Sequence, residues 1–228
     1  MPRLPYSAAA RSAMRSSEGD FDYFFSGGMR WWADRPDGKD LTARVQERGY
    51  TFVSSREELD ALENGKAIGI MAYMELPPAL DRGDLFQAGV AKALQLLDNE
   101  NGFFLMVEGS CIDDYCHANK LGYALEELFD FDRSVGLVLE WAAKDGETLV
   151  VVTGDHSTGG MTLLDGNIEE QRACVNFSND GHNGVALPVY AWGPHAADFV
   201  GIYENAELSN KIRNLISSVN CATRISAH

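Results

Sequence analysis

The chain has 228 residues, with 34 acids against 19 Lys and Arg for a formal charge of −15, and 45% of its residues are hydrophobic. A field of that sign repels phosphate backbones and anionic membranes, which argues against nucleic-acid binding, and the balanced composition excludes a disordered, collagen-like or coiled-coil chain. No window approaches the roughly 18 uncharged apolar residues of a membrane span, and a chain of this length can bury roughly 70% of its unfolded surface.

Residues 1–19 carry Arg3, Arg11 and Arg15 with no acid before Glu18. They look superficially like a transit segment but lack the apolar core of a secretory signal. The expectation is an irregular tail over 1–20 and one partial domain over 21–228. Segment 24–40, rich in Gly and turn residues, reads as loop. Residues 66–73 form a short apolar run and a predicted strand, and Pro77 and Pro78 break the chain before a helix over Asp84–Leu97 with Phe86, Val90, Ala93 and Leu97 on one face. Phe103–Val107 reads as a buried strand. Leu128, Phe131, Val135, Val138 and Ala142 recur every three or four residues and predict an amphipathic helix ending at Lys144-Asp145-Gly146. Thr148–Thr153 is β-branched and reads as a second buried strand, closing a strand-helix-strand unit of parallel type. Leu187–Trp192 supplies a further strand and Leu208, Ile212, Leu215 and Val219 line a closing helix. The fold class is α/β, a mostly parallel sheet flanked by helices on both faces.

In open parallel sheets, ligands collect beyond the carboxyl ends of the strands. The strand at 103–107 runs into Glu108, Asp113 and His117; the strand at 148–153 runs into Asp155-His156; His182 stands ahead of the strand at 187–192. Carboxylates and imidazoles in this mixture suit Zn²⁺ or a related divalent ion. Asp113 and His117, four apart, share a face if one helical turn joins them. Cys111 and Cys116 lack zinc-finger spacing and read as small buried thiols, and with Cys174 and Cys221 they make no dense disulfide framework.

Phe103-Phe-Leu-Met-Val-Glu-Gly-Ser-Cys-Ile-Asp113 with His117, followed by Thr148-Leu-Val-Val-Val-Thr-Gly-Asp-His-Ser-Thr-Gly-Gly160, resembles the paired signature of the alkaline phosphatases. The resemblance spans about Phe24 to Val219, taking in Gly27-Gly28, Asp37–Leu41, the His182 segment, Gly193–Ala196 and Glu204-Asn205. It implies an α/β sandwich with two zinc ions and a magnesium ion, and a phosphomonoester hydrolase acting on phosphate monoesters. Asp113, His117 and His182 resemble ligands of the first zinc, Asp155 and His156 of the second, and Glu108 a ligand of magnesium. Asn183 stands where the family usually has Thr and Gly154 where it usually has Ala. The family's N-terminal half, with its nucleophilic serine and phosphate-clamping arginine, has no counterpart here. Ser110 and Ser157 flank ligands, but their family equivalents are not nucleophiles. The expectation is therefore a weak or inactive hydrolase, with no catalytic nucleophile of its own. Its rivals are a non-catalytic zinc-binding remnant, a fragment requiring a partner polypeptide, and a hydrolase using zinc-bound hydroxide. A homodimer is left open, as is the compartment, although members of the family are typically exported.

Overall fold

The computed structural model describes residues 21–35 and 37–225. The expected tail at 1–20 lies outside them. The chain divides into two compact units, one running to Ile112 and taking in Gly122–Leu137, the other built from Asp113–Leu121 and the chain from Val138 onward.

The first unit begins with strand β1 (Tyr23–Ser26), followed by helices α1 (Met29–Trp32) and α2 (Leu41–Glu47), strand β2 (Thr51–Val53), helix α3 (Arg56–Asp60) and strand β3 (Ala67–Ile70). The three strands form a parallel sheet in the order β1-β3-β2, with Tyr23 and Thr51 both level with Ala67. β3 is buried along its whole length, as a central parallel strand should be. Its side chains alternate: Ile68 and Ile70 join Trp32, Leu41, Val45 and Tyr50 on one face, and Ala67 joins Val53, Leu59 and Leu62 on the other. Helices α1 and α2 thus cover one face and α3 the other. Caps hold both sets in place, since the Asp40 carboxylate accepts from the amides of Thr42 and Ala43, and the Ser55 hydroxyl accepts from that of Glu58.

Segment 24–40 is the loop its composition predicts only in part, since β1 and α1 occupy its first half and the described residues of 33–40 are irregular. Gly28 takes φ 98°, turning the chain from β1 directly into α1, and the amides of Gly28 and Met29 donate to the carbonyl of Ala72 at 3.0 and 2.9 Å. Here glycine punctuates two short elements that aromatic packing then fixes, Phe24 against Trp32 among them.

After α4 (Ala79–Arg82), helix α5 (Leu85–Leu97) buries Val90, Ala93, Leu94 and Leu97, close to the face its periodicity predicts. Gly89 lets α5 approach the sheet, because a Cβ there would lie 2.7 Å from the Phe25 ring. The buried Lys92 ammonium donates to the carbonyls of Asp60 and Leu62 at 3.3 and 2.6 Å, capping the end of α3.

Residues 103–107 differ from expectation. They are extended, with Phe104 and Met106 61% and 72% exposed, but among the described residues they belong to no ladder. An apolar run becomes a strand only when a neighbour supplies a ladder of hydrogen bonds, and no described strand does so here.

Helix α6 (Cys111–His117) and the long helix α7 (Leu121–Asp145) follow. Within the first unit, α7 presents the buried carboxylates of Glu127 and Asp130, each 2.6 Å from the guanidinium of Arg82. In the second unit α7 ends at Gly146, whose φ of 76° suits only glycine without strain.

Strand β4 (Val150–Thr153) follows. The parallel strand-helix-strand unit predicted across 103–153 does not form, because β4 pairs antiparallel with β9 (Val189–Trp192). Buried β-branched composition identified both strands correctly but carries no information on their direction. Between them lie β5 (Ser157–Thr158), the hairpin of β6 (Met161–Asn167) and β7 (Arg172–Phe177), and β8 (His182–Asn183), which pairs with β5. A 3₁₀ turn over Ala196–Phe199 precedes the closing helix α8 (Asn205–Ile225). No described helix is long and apolar enough to cross a membrane.

Candidate metal centre

The second unit gathers its histidines around one carboxylate. Asp113 and His117 lie four apart on α6, and that single turn brings Asp113 Oδ2 to 3.3 Å from His117 Nε2. The ladder of β5 and β8 sets Thr158 level with His182. His182 Nε2 then stands 3.0 Å from His117 Nε2 and 3.5 Å from Asp113 Oδ1. Gly159, at φ 75°, lets the chain after β5 pass against the end of α6: a Cβ there would meet the Cys116 carbonyl at 2.7 Å.

The surrounding hydrogen bonds orient the donors. His117 Nδ1 sits 2.5 Å from the carbonyl of Asp180, which fixes the proton on Nδ1 and leaves the Nε2 lone pair directed at Asp113 and His182. That carbonyl, and after it the carboxylates of Asp113, Asp114 and Asp180, push the His117 imidazole above its ordinary value. Thr158 donates its hydroxyl proton to Asp113 Oδ1. The His156 ring stacks on His182 with centroids 3.6 Å apart, its Nδ1 3.2 Å from the Thr158 hydroxyl and its Nε2 3.1 Å from Asp155 Oδ2.

Whether these residues suit a metal ion can be tested on the distances. Ligand atoms around a tetrahedral zinc, at about 2.0–2.2 Å from the ion, lie about 3.3 Å from one another. The separations among Asp113, His117 and His182 are 3.3, 3.0 and 3.5 Å, one through each oxygen of the carboxylate to the two imidazoles. One donor atom from each of the three falls within 4.8 Å of the others. The donor set is nitrogen and oxygen, as zinc accepts. The residues fit.

Of the six residues singled out in the sequence, then, Asp113, His117 and His182 converge and His156 packs against them. Asp155 reaches His156 only through its side chain, which is 81% exposed. Glu108 belongs to the first unit and is exposed. Cys116 is buried, and burial first and the Asp113 carboxylate second push its thiol up, as suits a packing residue rather than a ligand. Sequence reasoning missed Thr158 and the Asp180 carbonyl. Thr158 lies inside the signature that drew attention to Asp155-His156, so the signal was present; a backbone carbonyl has none.

The family model of the alkaline phosphatases matches residues 10–168. The chain belongs to the alkaline phosphatase family. It is 31% identical over 231 residues to alkaline phosphatase H of Pseudomonas aeruginosa (strain UCBPP-PA14), covering 81% of this chain and 48% of that protein. With alkaline phosphatase 4 of Bacillus subtilis (strain 168) it shares 37% identity over 141 residues, 60% of this chain and 30% of the relative. Among solved structures, the alkaline phosphatase from the Antarctic bacterium TAB5 matches with a TM-score of 0.83 and 36% identity, covering 91% of this chain and 64% of that one. Variants of the TAB5 enzyme have been solved with magnesium bound. The α/β alkaline phosphatase fold follows from this likeness. The chain spans about half the length of the curated relatives it matches.

Proposed function

We propose that this chain carries the metal-binding part of a phosphomonoester hydrolase, with zinc held by Asp113, His117 and His182 and phosphate monoesters as the substrate class. The observation that carries the reading is the convergence of those three residues, one ligand atom from each lying within 4.8 Å of the others. A divalent cation held there supplies positive charge against the oxygens of a phosphoryl group. The protein's own residues prepare the place: the Asp180 carbonyl keeps the proton of His117 on Nδ1, Thr158 orients Asp113, and His156 stacks behind His182. By family resemblance, Asp155 and His156 would serve a second zinc and Glu108 a magnesium ion. With Asp155 and His156 offering only two donors against three, zinc binds tighter at the first site.

The described serines beside the site support a hydrolase that is slow or silent on its own. The Ser157 hydroxyl accepts from Asn183 Nδ2 at 3.3 Å and meets no imidazole among the described residues, and Ser110 is exposed in the other unit. A nucleophilic serine needs an adjacent base or a metal to activate it.

Zinc titration against a chromogenic chelator tests the first site. His182→Ala should weaken the tightest zinc site by at least about tenfold, since even outer partners of a metal ligand are worth about 10- to 100-fold. An unchanged tight site would mean the ion is held elsewhere.

A further inference from the structure

Three stretches of the second unit supply the metal donors and the groups that orient them: α6, the turn after β5, and residues 178–182 leading into β8. The last two are tied together by main-chain bonds around Gly159. Its carbonyl accepts from the amides of Ser178 and Asn179 at 3.0 and 3.2 Å, and its own amide donates to the Gly181 carbonyl at 2.9 Å. Helix α6 is tied to them differently, through side chains. His117 Nδ1 donates to the Asp180 carbonyl, and the Thr158 hydroxyl reaches across to Asp113. A further side chain bridges the same pieces. Asn119 stands two residues beyond His117, just past the end of α6, with a φ of 53°. Its carboxamide faces the carbonyls of Cys116 and Asn179, and since a carbonyl can only accept, the nitrogen is the atom on that side, 3.0 Å from each. One group thus gives one proton to the last turn of α6 and the other to the residue before Asp180. The consecutive carbonyls of Asn179 and Asp180 are held by Asn119 and His117.

We propose that Asn119 is a positioning residue of the metal centre: by holding the Asn179 carbonyl against the end of α6, it keeps the Asp180 carbonyl on His117 Nδ1 and so keeps the His117 Nε2 lone pair turned toward Asp113 and His182. Its consequence for zinc rests on the metal-binding reading above, whereas its effect on His117 is a property of the metal-free chain. A helix cap would explain only part of the geometry. Asparagine commonly ends a helix in the left-handed conformation, and that role accounts for the backbone and for the bond to Cys116. The bond to Asn179 goes beyond capping, because it joins α6 to a segment far away in the chain. Without it, residues 178–181 are still fastened to Gly159, but their distance from α6 is left to the His117 bond that they are meant to support. An imidazole whose partner carbonyl drifts away carries its proton on either nitrogen, and a proton on Nε2 takes that atom out of the donor set.

Two variants of the full chain separate this role from capping. Asn119→Gly keeps the left-handed conformation without strain and removes both donors, and Asn119→Asp keeps the shape but turns an acceptor toward two carbonyls. The first measurement needs no metal. In the zinc-free, isotope-labelled chain at alkaline pH, where imidazoles are neutral, proton–nitrogen NMR correlations report which ring nitrogen of His117 carries the proton. The parent should show Nδ1 alone, and both variants should show a second population protonated on Nε2. The second measurement is zinc competition with a chelator, in which Asn119→Gly should bind at least about tenfold more weakly, the lower end of what a partner orienting a metal ligand is worth. A residue that only capped α6 would lower the urea midpoint when replaced and leave the His117 proton and the zinc affinity where they are, and that outcome would overturn the proposal. Parent-like zinc affinity in Asn119→Gly beside the expected loss in His182→Ala would overturn it too, while leaving the metal-binding reading standing. Parent-like affinity in both would remove the metal-binding reading instead, and the position of the His117 proton would then decide by itself whether Asn119 holds that ring.

Discussion

Two imidazole nitrogens 3.0 Å apart, both turned toward one carboxylate, attract only if a proton or a cation lies among them. At His117 the Nδ1 proton is already committed to the Asp180 carbonyl, so the proton between the rings is the one that His182 carries on Nε2, and a metal ion would take its place. Thr158 sits at the hinge of this arrangement, because its hydroxyl fixes the rotamer of Asp113 and faces His156 Nδ1 at 3.2 Å. Thr158→Val keeps the shape and deletes the donor. Zinc affinity should fall by about 10- to 100-fold, the usual worth of a partner that orients a metal ligand. Equilibrium competition with a chelator reads this directly, and an affinity equal to that of the parent chain would show that Asp113 orients itself. None of this is visible in residue spacing alone. Asp113 and His117 could be paired from the sequence because a helix converts a separation of four into proximity, whereas the third donor, His182, arrives through the two-residue ladder of β5 and β8, which is too short to leave a periodic trace.

At the scale of elements, two separate requirements act on the helices of the first unit. Gly89 of α5 is one of them. In an exposed helix, glycine to alanine would stabilise by about 1 kcal/mol through propensity. At Gly89 the added methyl would lie 2.7–2.9 Å from three atoms of the Phe25 ring, and overpacking of that kind costs about 1–3 kcal/mol. Gly89→Ala should therefore lower the urea midpoint, and pairing it with Phe25→Leu should recover most of the loss. A more stable single variant would mean that Phe25 moves aside freely. The second requirement is ionic. Asp130, fully buried on α7, meets Arg82 at 2.6 Å and also accepts from Gln87 at 2.6 Å and Arg133 at 3.1 Å. Asp130→Ala leaves the Arg82 guanidinium with Glu127 as its one described carboxylate partner, beside the Pro77 carbonyl, in a desolvated place and should cost about 3–5 kcal/mol. Thermal unfolding with a midpoint like that of the parent would show that Glu127 suffices.

Elements of strong period were legible from the sequence: β3 from its apolar run, and α5 and α7 from spacings of three and four. Those whose identity depends on a partner were not. Residues 103–107 have strand composition but join no ladder among the described residues, and β4 and β9 could be recognised as strands but not as an antiparallel pair. The hairpin of β6 and β7 went unread because nearly all of its residues are exposed, Leu163 and Leu164 at 69% and 62% among them, so no alternation marks an inner face. The first half of segment 24–40 failed in the opposite sense, since its glycines suggested a loop where Gly28 makes a single sharp turn between two ordered elements.

For the molecule as a whole, the metal donors and the attacking group are separable, and the chain is well furnished only with the first. Three donors converge in Asp113, His117 and His182, while Ser157, next to His156 in the chain, is bonded to an amide that can neither take its proton nor sharpen its nucleophilicity. On the proposed reading, turnover by the chain alone should be slow and zinc-dependent, because a cation among the three donors would supply charge while Ser157 has no described imidazole to activate it. Loss of a hydrolase's nucleophile and its supporting groups costs about 10⁶-fold in an unrelated enzyme, against a common turnover of about 10 per second. The measurement is phosphate release from an aryl phosphate with zinc and magnesium present, on protein whose zinc content has been determined, followed by acid quenching to trap covalent phosphate. A low rate, no phosphoserine, and unchanged residual activity in Ser157→Ala and Ser110→Ala are expected. Removing zinc with a chelator should abolish what remains, and restoring it should bring the same rate back. Full turnover with phosphate trapped on Ser157 or Ser110 would show instead that this chain has recruited a nucleophile of its own.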